Sequence, residues 1–506
     1  MHKRLGLVLS LVVLLSVGLL VPGFTANAQD KEPVKALMIP AGGLTPGFLN
    51  SNTGGNIAGA VYDYLFRVNA EGDTAASLAK SYEVSEDSKT WTVEIREGVT
   101  FHDGSKLTSE DVVYTFERLI DPDVGSALLG TLGSLIDSVE ALDEYTVKFE
   151  LSRPDAAFHK KLTDSNAAII SSEYNYEEKG DTDPMGSGAF KVEEVVPRER
   201  VITTANEDYW KEGLPKVEHL TFLMVPEKET AVRMLSSGQG DIITDLSPDQ
   251  YLRLQSNNKV RPLNEQYAAP IMIDLNTNKE PFNNKKVRQA LAHTIDRQSL
   301  LESAGFGLGT IGNDTPIPTW HKFYDDLGGT RQRNVEKAKQ LLKEAGYSDG
   351  VNVTLYCGSN IPPVLSVALT VQEMAKSAGF NIELHTLPRS TYLSKYWLKV
   401  PMSATLWGHR EDITQLLGSS LTCDASWNAS HYCNEELDEN VEKASATTDP
   451  EERQKYFSKI QEILHEDVPA VIPMFKDYLG ATSTRVAGFH LTQNWINDYR
   501  YVEYTN

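Results

Sequence analysis

Cysteine is scarce in this chain, with three in 506 residues. That is too few for a disulfide-stapled miniprotein. With no CxxC pair and no repeated Cys/His ligand pattern, a structural zinc site is not indicated either. The eleven histidines are scattered without the HExxH spacing, and neither a GxSxG nucleophile elbow nor a Walker-type phosphate loop occurs. Basic residues are outnumbered, 48 against 70 acidic ones, for a formal charge of −22. Such a surface repels phosphates and gains nothing from counterion release, so nucleic acid is not the expected partner. No internal repeat or low-complexity tract appears. What is present is an ordinary apolar fraction of 41%, enough for packed cores, and a length that suggests about three domains.

The first thirty residues concern the compartment. Met1-His2-Lys3-Arg4 is a basic head, Leu5 to Val21 is almost wholly apolar, and Pro22-Gly23 break the run before Ala26-Asn27-Ala28. This pattern reads as a cleaved signal peptide over 1–28, with cleavage before Gln29; an uncleaved anchor is the alternative. No cysteine lies near that point, so a lipoprotein is not indicated. In an oxidising compartment Cys423 and Cys433, separated by a nine-residue polar stretch, are expected to form a disulfide. Cys357, beside Val353, Leu355 and Tyr356, reads as a buried inert thiol on a strand.

Along the chain, Gly59 to Phe66 reads as a buried helix and Trp91 to Ile95 as a half-buried strand. Thr108 caps a helix with Asp111 at its third position, and Tyr145 to Phe149 is a strand. Strands are expected over 189–196, near 201–202, over 219–224 and over 240–243, with a helix over 230–235 closed by Gly238. Asn283 to Leu301 reads as one helix, with Val287, Ala290 and Leu291 inward and Lys286, Arg288 and Gln289 outward. A helix from Asn334 stops at Gly346. Residues 351–355, 365–378 and 382–384 then read strand, helix, strand, which predicts a right-handed parallel unit. Two helices, 435–444 and 450–466, precede a strand at 470–474. The short glycine-rich strings Thr53-Gly54-Gly55-Asn56 and Gly186-Ser187-Gly188 read as turns or loops.

Several strings carry a resemblance in their order and spacing. They are Val61-Tyr62-Asp63-Tyr64-Leu65, Leu78-Ala79-Lys80-Ser81-Tyr82-Glu83-Val84-Ser85 and the run from Trp91 through Phe101-His102-Asp103-Gly104. After them come Gly186-Ser187-Gly188-Ala189-Phe190-Lys191-Val192, Ala205-Asn206-Glu207-Asp208-Tyr209-Trp210 and Lys286-Val287-Arg288-Gln289-Ala290-Leu291-Ala292. Over roughly residues 35–506 the chain resembles the family 5 extracellular solute-binding proteins of peptide-type ABC importers. The resemblance implies an α/β fold: a two-lobed periplasmic binding protein of the Venus-flytrap, cluster C type, with an extra α/β subdomain on the first lobe. It divides the chain into lobe I (29–58, 186–270 and 483–506), the extra subdomain (59–185) and lobe II (271–482), with crossings near Tyr267 to Asn276 and Tyr478 to Val486. It further implies a monomeric, periplasmic, non-catalytic receptor without cofactor or metal of its own. Such a receptor closes on a small polar solute, foremost a short peptide, and delivers it to ABC permease subunits.

In dipeptide and oligopeptide binders an Asp after the strand at 404–406 takes the ligand's amino group; here His409 holds that position, and a neutral imidazole cannot neutralise an ammonium. Glu411 or Asp412 can substitute, and Arg410 can meet a carboxylate or phosphate. Alternatively Arg410 and Asp412 only pair with each other. The ligand-contact expectations are thus Trp407, Gly408, His409, Arg410 and Asp412, together with Trp320 at the cleft rim and Gly54 and Asn56. Carriers of oligosaccharides, opines or metal chelates share the fold. A reading of another class is a secreted hydrolase using a cleft carboxylate pair.

Overall fold

The computed structural model describes residues 32–359, 361–494 and 496–505. The expected signal peptide over 1–28 and its cleavage before Gln29 lie outside the described residues. Among those described, no helix is long and apolar enough to cross a membrane.

The chain is a two-lobed α/β structure whose main sheet has eleven strands. Its edge-to-edge order is Phe380–Leu387, Val351–Gly358, Met402–Leu406, Val260–Leu275, Ala470–Ser483, Ile242–Thr244, Val34–Met38, His219–Met224, Arg200–Ala205 and Phe190–Val196; Thr310–Ile311 pairs on Ala470–Ser483. Val260–Leu275 and Ala470–Ser483 run antiparallel through the middle and belong to both halves. Ile271–Leu275 pairs with Met402–Leu406 on one side of the molecule, while Gly480–Thr482 pairs with Ile242–Thr244 on the other. The register of the long pair breaks between Glu265 and Ala269. The strand expected to end at Met474 therefore continues nine residues further, because both of its faces are covered along almost its whole length.

Each lobe has its own core, one holding Val34, Phe222 and Tyr499 and the other Ile273, Leu291 and Val371. A third core, from Leu65 to Met185, lies under a separate four-stranded sheet of Ala79–Val84, Thr90–Ile95, Thr146–Leu151 and Ile136–Asp143. Trp91 is 1% exposed there, so the aromatic run holds this subdomain together. The helix at Ser109–Ile120 has the expected capping box, with Thr108 N–H donating to Asp111 Oδ2 at 2.9 Å. The strand, helix and strand at Val351–Gly358, Pro362–Lys376 and Phe380–Leu387 form the expected parallel unit.

Four local expectations are corrected. The helix placed at 59–66 spans Asn52–Val61, and Phe66–Val68 is a strand. Thr53-Gly54-Gly55-Asn56 is therefore the start of a helix and not a loop. Ser51 caps it by accepting from Gly54 N–H at 3.2 Å, and packing favours it, since a Cβ on Gly59 would lie 2.5 Å from Ile496. The helix read at 283–301 is two, Lys285–Thr294 and Arg297–Ala304, because Asp296 caps the second by accepting from Ser299 N–H. Arg288 points inward, where it donates to the carbonyls of Asp467 and Phe282.

Candidate functional site

Between the subdomain and the second lobe lies a cleft of about 940 Å³. Its lining comes from the first lobe, which contributes Asn50, Ser51, Gln493 and Asn494, and from three further directions. The subdomain contributes Thr131, Arg153, Lys160 and Lys161; the register break contributes Tyr267; the second lobe contributes His409, Arg410, Glu411, the face Thr414, Gln415, Gly418 and Ser419, and Trp427.

The second-lobe wall is built by a strand-to-helix turn. Met402–Leu406 pairs into the central sheet, Trp407 N–H donates to Pro270 O at 3.1 Å, and the chain then leaves the sheet. The next helix, Ile413–Ser420, starts at Asp412, whose Oδ1 accepts from Thr414 N–H. His409, Arg410 and Glu411 are the residues stranded between the two elements. The His409 ring stacks on Tyr267 with centroids 5.2 Å apart, and Tyr267 lies 5.6 Å from Tyr478. A row of three rings therefore joins the cleft wall to both long strands. Among the described residues neither ring nitrogen of His409 has a hydrogen-bond partner, although Nε2 lies 3.3 Å from Glu411 Oε1. Arg410 Nη1 donates to the His409 carbonyl at 2.9 Å, and no carboxylate pairs with this guanidinium among the described residues.

Asp412 is not available to a ligand amino group. It is 4% exposed and accepts two hydrogen bonds from Arg453 Nη2, at 3.1 and 2.9 Å. Burial alone would raise its pKa, but Arg453 and then Lys161 and Lys160 hold it well below the usual carboxylate range. The alternative Arg410–Asp412 pair is thus replaced by Arg453–Asp412, and Glu411 and Asp412 are not a free carboxylate pair. Asn56 is fully buried, with Oδ1 accepting from Asn497 Nδ2 and Tyr499 O–H. It fastens the C-terminal segment to the first lobe, and neither it nor Gly54 lines the cleft. Trp407 is 6% exposed and packs between Trp397 and Trp427 as core. Gly408 and Trp320 also stand off the lining, leaving His409 and Arg410 as the expected contacts that reach it.

Sequence reasoning passed over Lys160, Tyr267 and Trp427. The triplet His159-Lys160-Lys161 following Phe158 is the signal that marks the first of these. Lys161 is taken by Asp155 at 2.6 Å, whereas Lys160 Nζ reaches across the cleft to the Glu411 carbonyl at 3.0 Å. Two more bonds join subdomain and second lobe: Ala156 N–H to Ser445 O at 2.8 Å, and Ser88 Oγ to Ala446 O at 3.0 Å. Both acceptors end the helix Glu435–Ala446, whose last carbonyls lack partners within the helix. The subdomain therefore caps a helix of the other lobe. His159 and His321 flank this junction, and burial, with Lys160 next in order, lowers both to about 4. Cys423 and Cys433 form the expected disulfide, and Cys357 is buried with its thiol pushed up to about 11 by burial. No group of three or more His, Cys, Asp or Glu among the described residues is arranged to hold a metal ion.

Comparison with known proteins agrees with this architecture. The pattern described as bacterial extracellular solute-binding proteins, family 5 Middle, matches residues 74–424. The glutathione-binding protein GsiB of Pectobacterium atrosepticum is 27% identical over 496 residues, covering 94% of each chain. Among solved structures, AgaA of A. tumefaciens R10 in complex with agropinic acid is 26% identical, with a TM-score of 0.78 over 94% of this chain and 99% of that one. HbpA2 of Haemophilus parasuis is 25% identical, with a TM-score of 0.84 over 94% of this chain and all of that one.

Proposed function

The chain belongs to the family 5 bacterial extracellular solute-binding proteins of ABC importers, and from that premise we propose that it captures a small solute bearing a carboxylate, foremost a short peptide, by hinge closure of its two lobes and presents it unaltered to the permease. The observation that carries this reading is Arg410. Its guanidinium lines the cleft and, among the described residues, bonds only to the neighbouring His409 carbonyl, while the nearby buried carboxylate is taken by Arg453. A half-buried guanidinium gains most from a bidentate carboxylate partner. Lys160, on the facing wall, adds a second cation bonded to a carbonyl. His409 in place of an acidic residue shifts recognition away from an ammonium and toward the acid end of the solute. Glutathione, named for the Pectobacterium relative, is a short peptide with carboxylates, and agropinic acid, bound by AgaA, is an acid.

The hinge is assigned to the register break at Glu265–Ala269, where Tyr267 joins the cleft wall to the long strands. Calorimetry with a dipeptide series and the matching methyl esters tests the reading. The free acids are expected to bind, the esters to lose about tenfold or more in affinity, and Arg410→Gln to erase the difference. Equal affinity for acid and ester in the unaltered protein overturns it.

A further inference from the structure

We propose that the cleft contains an apolar subsite built on Trp427, which receives a flat or branched apolar group of the solute. The inference rests on the reading of this cleft as the solute site and adds the chemistry of the solute's far end.

Trp427 is 47% exposed, whereas Trp407 in the same ring row is 6% exposed and Trp397 is partly buried. It is not a stray surface residue. It lies 6.0 Å from Trp407, which in turn lies 6.0 Å from Trp397, so the exposed ring is the open end of a packed aromatic row. Its loop is rigidly built. Cys423 and Cys433 close it, Asn428 Nδ2 donates to the carbonyls of Thr422 and Tyr432 at 3.0 and 2.7 Å, and Thr277 N–H holds Ser430 O at 2.7 Å. Trp427 N–H donates to Ser419 O, the residue after Gly418, and both Gly418 and Trp427 line the cleft. A Cβ added to Gly418 would meet nothing within 4 Å. The fixed indole face and the open space over Gly418 both line the cleft and leave room for an apolar group, since an aromatic ring anchored on one side loses little freedom when the other is covered.

The test uses three probes, Gly-Gly, Gly-Phe and N-acetylphenylalanine, titrated by calorimetry into the unaltered chain and into Trp427→Ala, Trp427→Phe and Gly418→Leu. The two aromatic probes are expected to bind about tenfold tighter than Gly-Gly. Trp427→Ala and Gly418→Leu each collapse that ratio to near one, the first by removing the wall and the second by filling the open space; Trp427→Phe keeps most of it. Thermal unfolding of Gly418→Leu at or above the parent temperature shows that the fold survives. Gly-Gly binding as tightly as Gly-Phe, or a ratio unchanged in Trp427→Ala, overturns the subsite while leaving the carboxylate reading standing. Binding of none of the three probes overturns the carboxylate reading at Arg410 and the subsite with it.

Discussion

The hydroxyl of Ser88, on the subdomain, donates to the carbonyl of Ala446, on the second lobe, at 3.0 Å. Ser88 holds a left-handed φ of 57° to do so, in the turn between Ala79–Val84 and Thr90–Ile95. Together with Ala156 N–H on Ser445 O it finishes a helix that its own lobe leaves open. On the proposed hinge closure, these bonds would couple the closing of the cleft to helix capping. Ser88→Ala is expected to weaken the closed state by about 1 kcal/mol, the net worth of one such bond. Stopped-flow measurement of solute release would then show a rate about fivefold higher, with the overall unfolding temperature nearly unchanged. An unaltered release rate removes this capping from the closing energetics.

Arg453 and Asp412 form a buried ion pair whose partners are both under a tenth exposed. Removing one partner strands the other charge in a dry site. Arg453→Leu is expected to destabilise the chain by roughly 3 to 5 kcal/mol, read as a lowered denaturation midpoint, and adding Asp412→Asn should restore part of the loss. If the two single losses simply add in the double variant, the pairing is not what stabilises this corner.

His159 packs against both Tyr82 and Trp91, whose own rings stack 5.2 Å apart, and its Nδ1 is buried without a partner among the described residues. Its pKa falls from 6.5 to about 4 on folding, through burial first and Lys160 next. The unfolded chain therefore binds this proton more readily, and stability is lost as pH falls from about 6.5 toward 4. The loss amounts to roughly 2 kcal/mol between pH 7 and pH 5 for this side chain, and His321 adds a similar slope. His159→Phe keeps the ring stack and removes the titration, so its unfolding free energy should exceed the parent's at pH 5 while matching it at pH 7. Parallel pH profiles for parent and variant would refute the assignment.

Thiol labelling gives a check on the cysteines. In the folded, oxidised chain no label is expected, because Cys357 is buried and the other two are bonded. After denaturation without reductant one label is expected, at Cys357. Reduction should cost roughly 3 kcal/mol by the loop-entropy argument and loosen the Trp427 loop, so affinity for Gly-Phe should fall more than affinity for Gly-Gly.

The features legible in the sequence are those whose causes are local. Thr108 and Asp111 satisfy each other's backbone within one turn, and the parallel unit around Pro362–Lys376 is announced by its own periodicity. The cleft depends on pairs far apart in the chain, and there local reading fails. Lys160 and Glu411 are 251 residues apart and Asp412 meets Arg453 across 41, so no spacing rule reveals that Asp412 is taken or that Lys160 reaches the site. Asn56 reads as a loop residue because Gly-Gly disfavours helix; its bonds to Asn497 and Tyr499, and the close fit of Gly59 against Ile496, override that preference.

Native mass spectrometry of the chain purified without refolding tests the central claim most directly. The account predicts one small molecule per chain, released on denaturation with a mass that does not change during prior incubation with the protein, and absent or strongly depleted from Arg410→Gln. Recovery of a cleaved or otherwise altered molecule, or equal occupancy in Arg410→Gln, would contradict it.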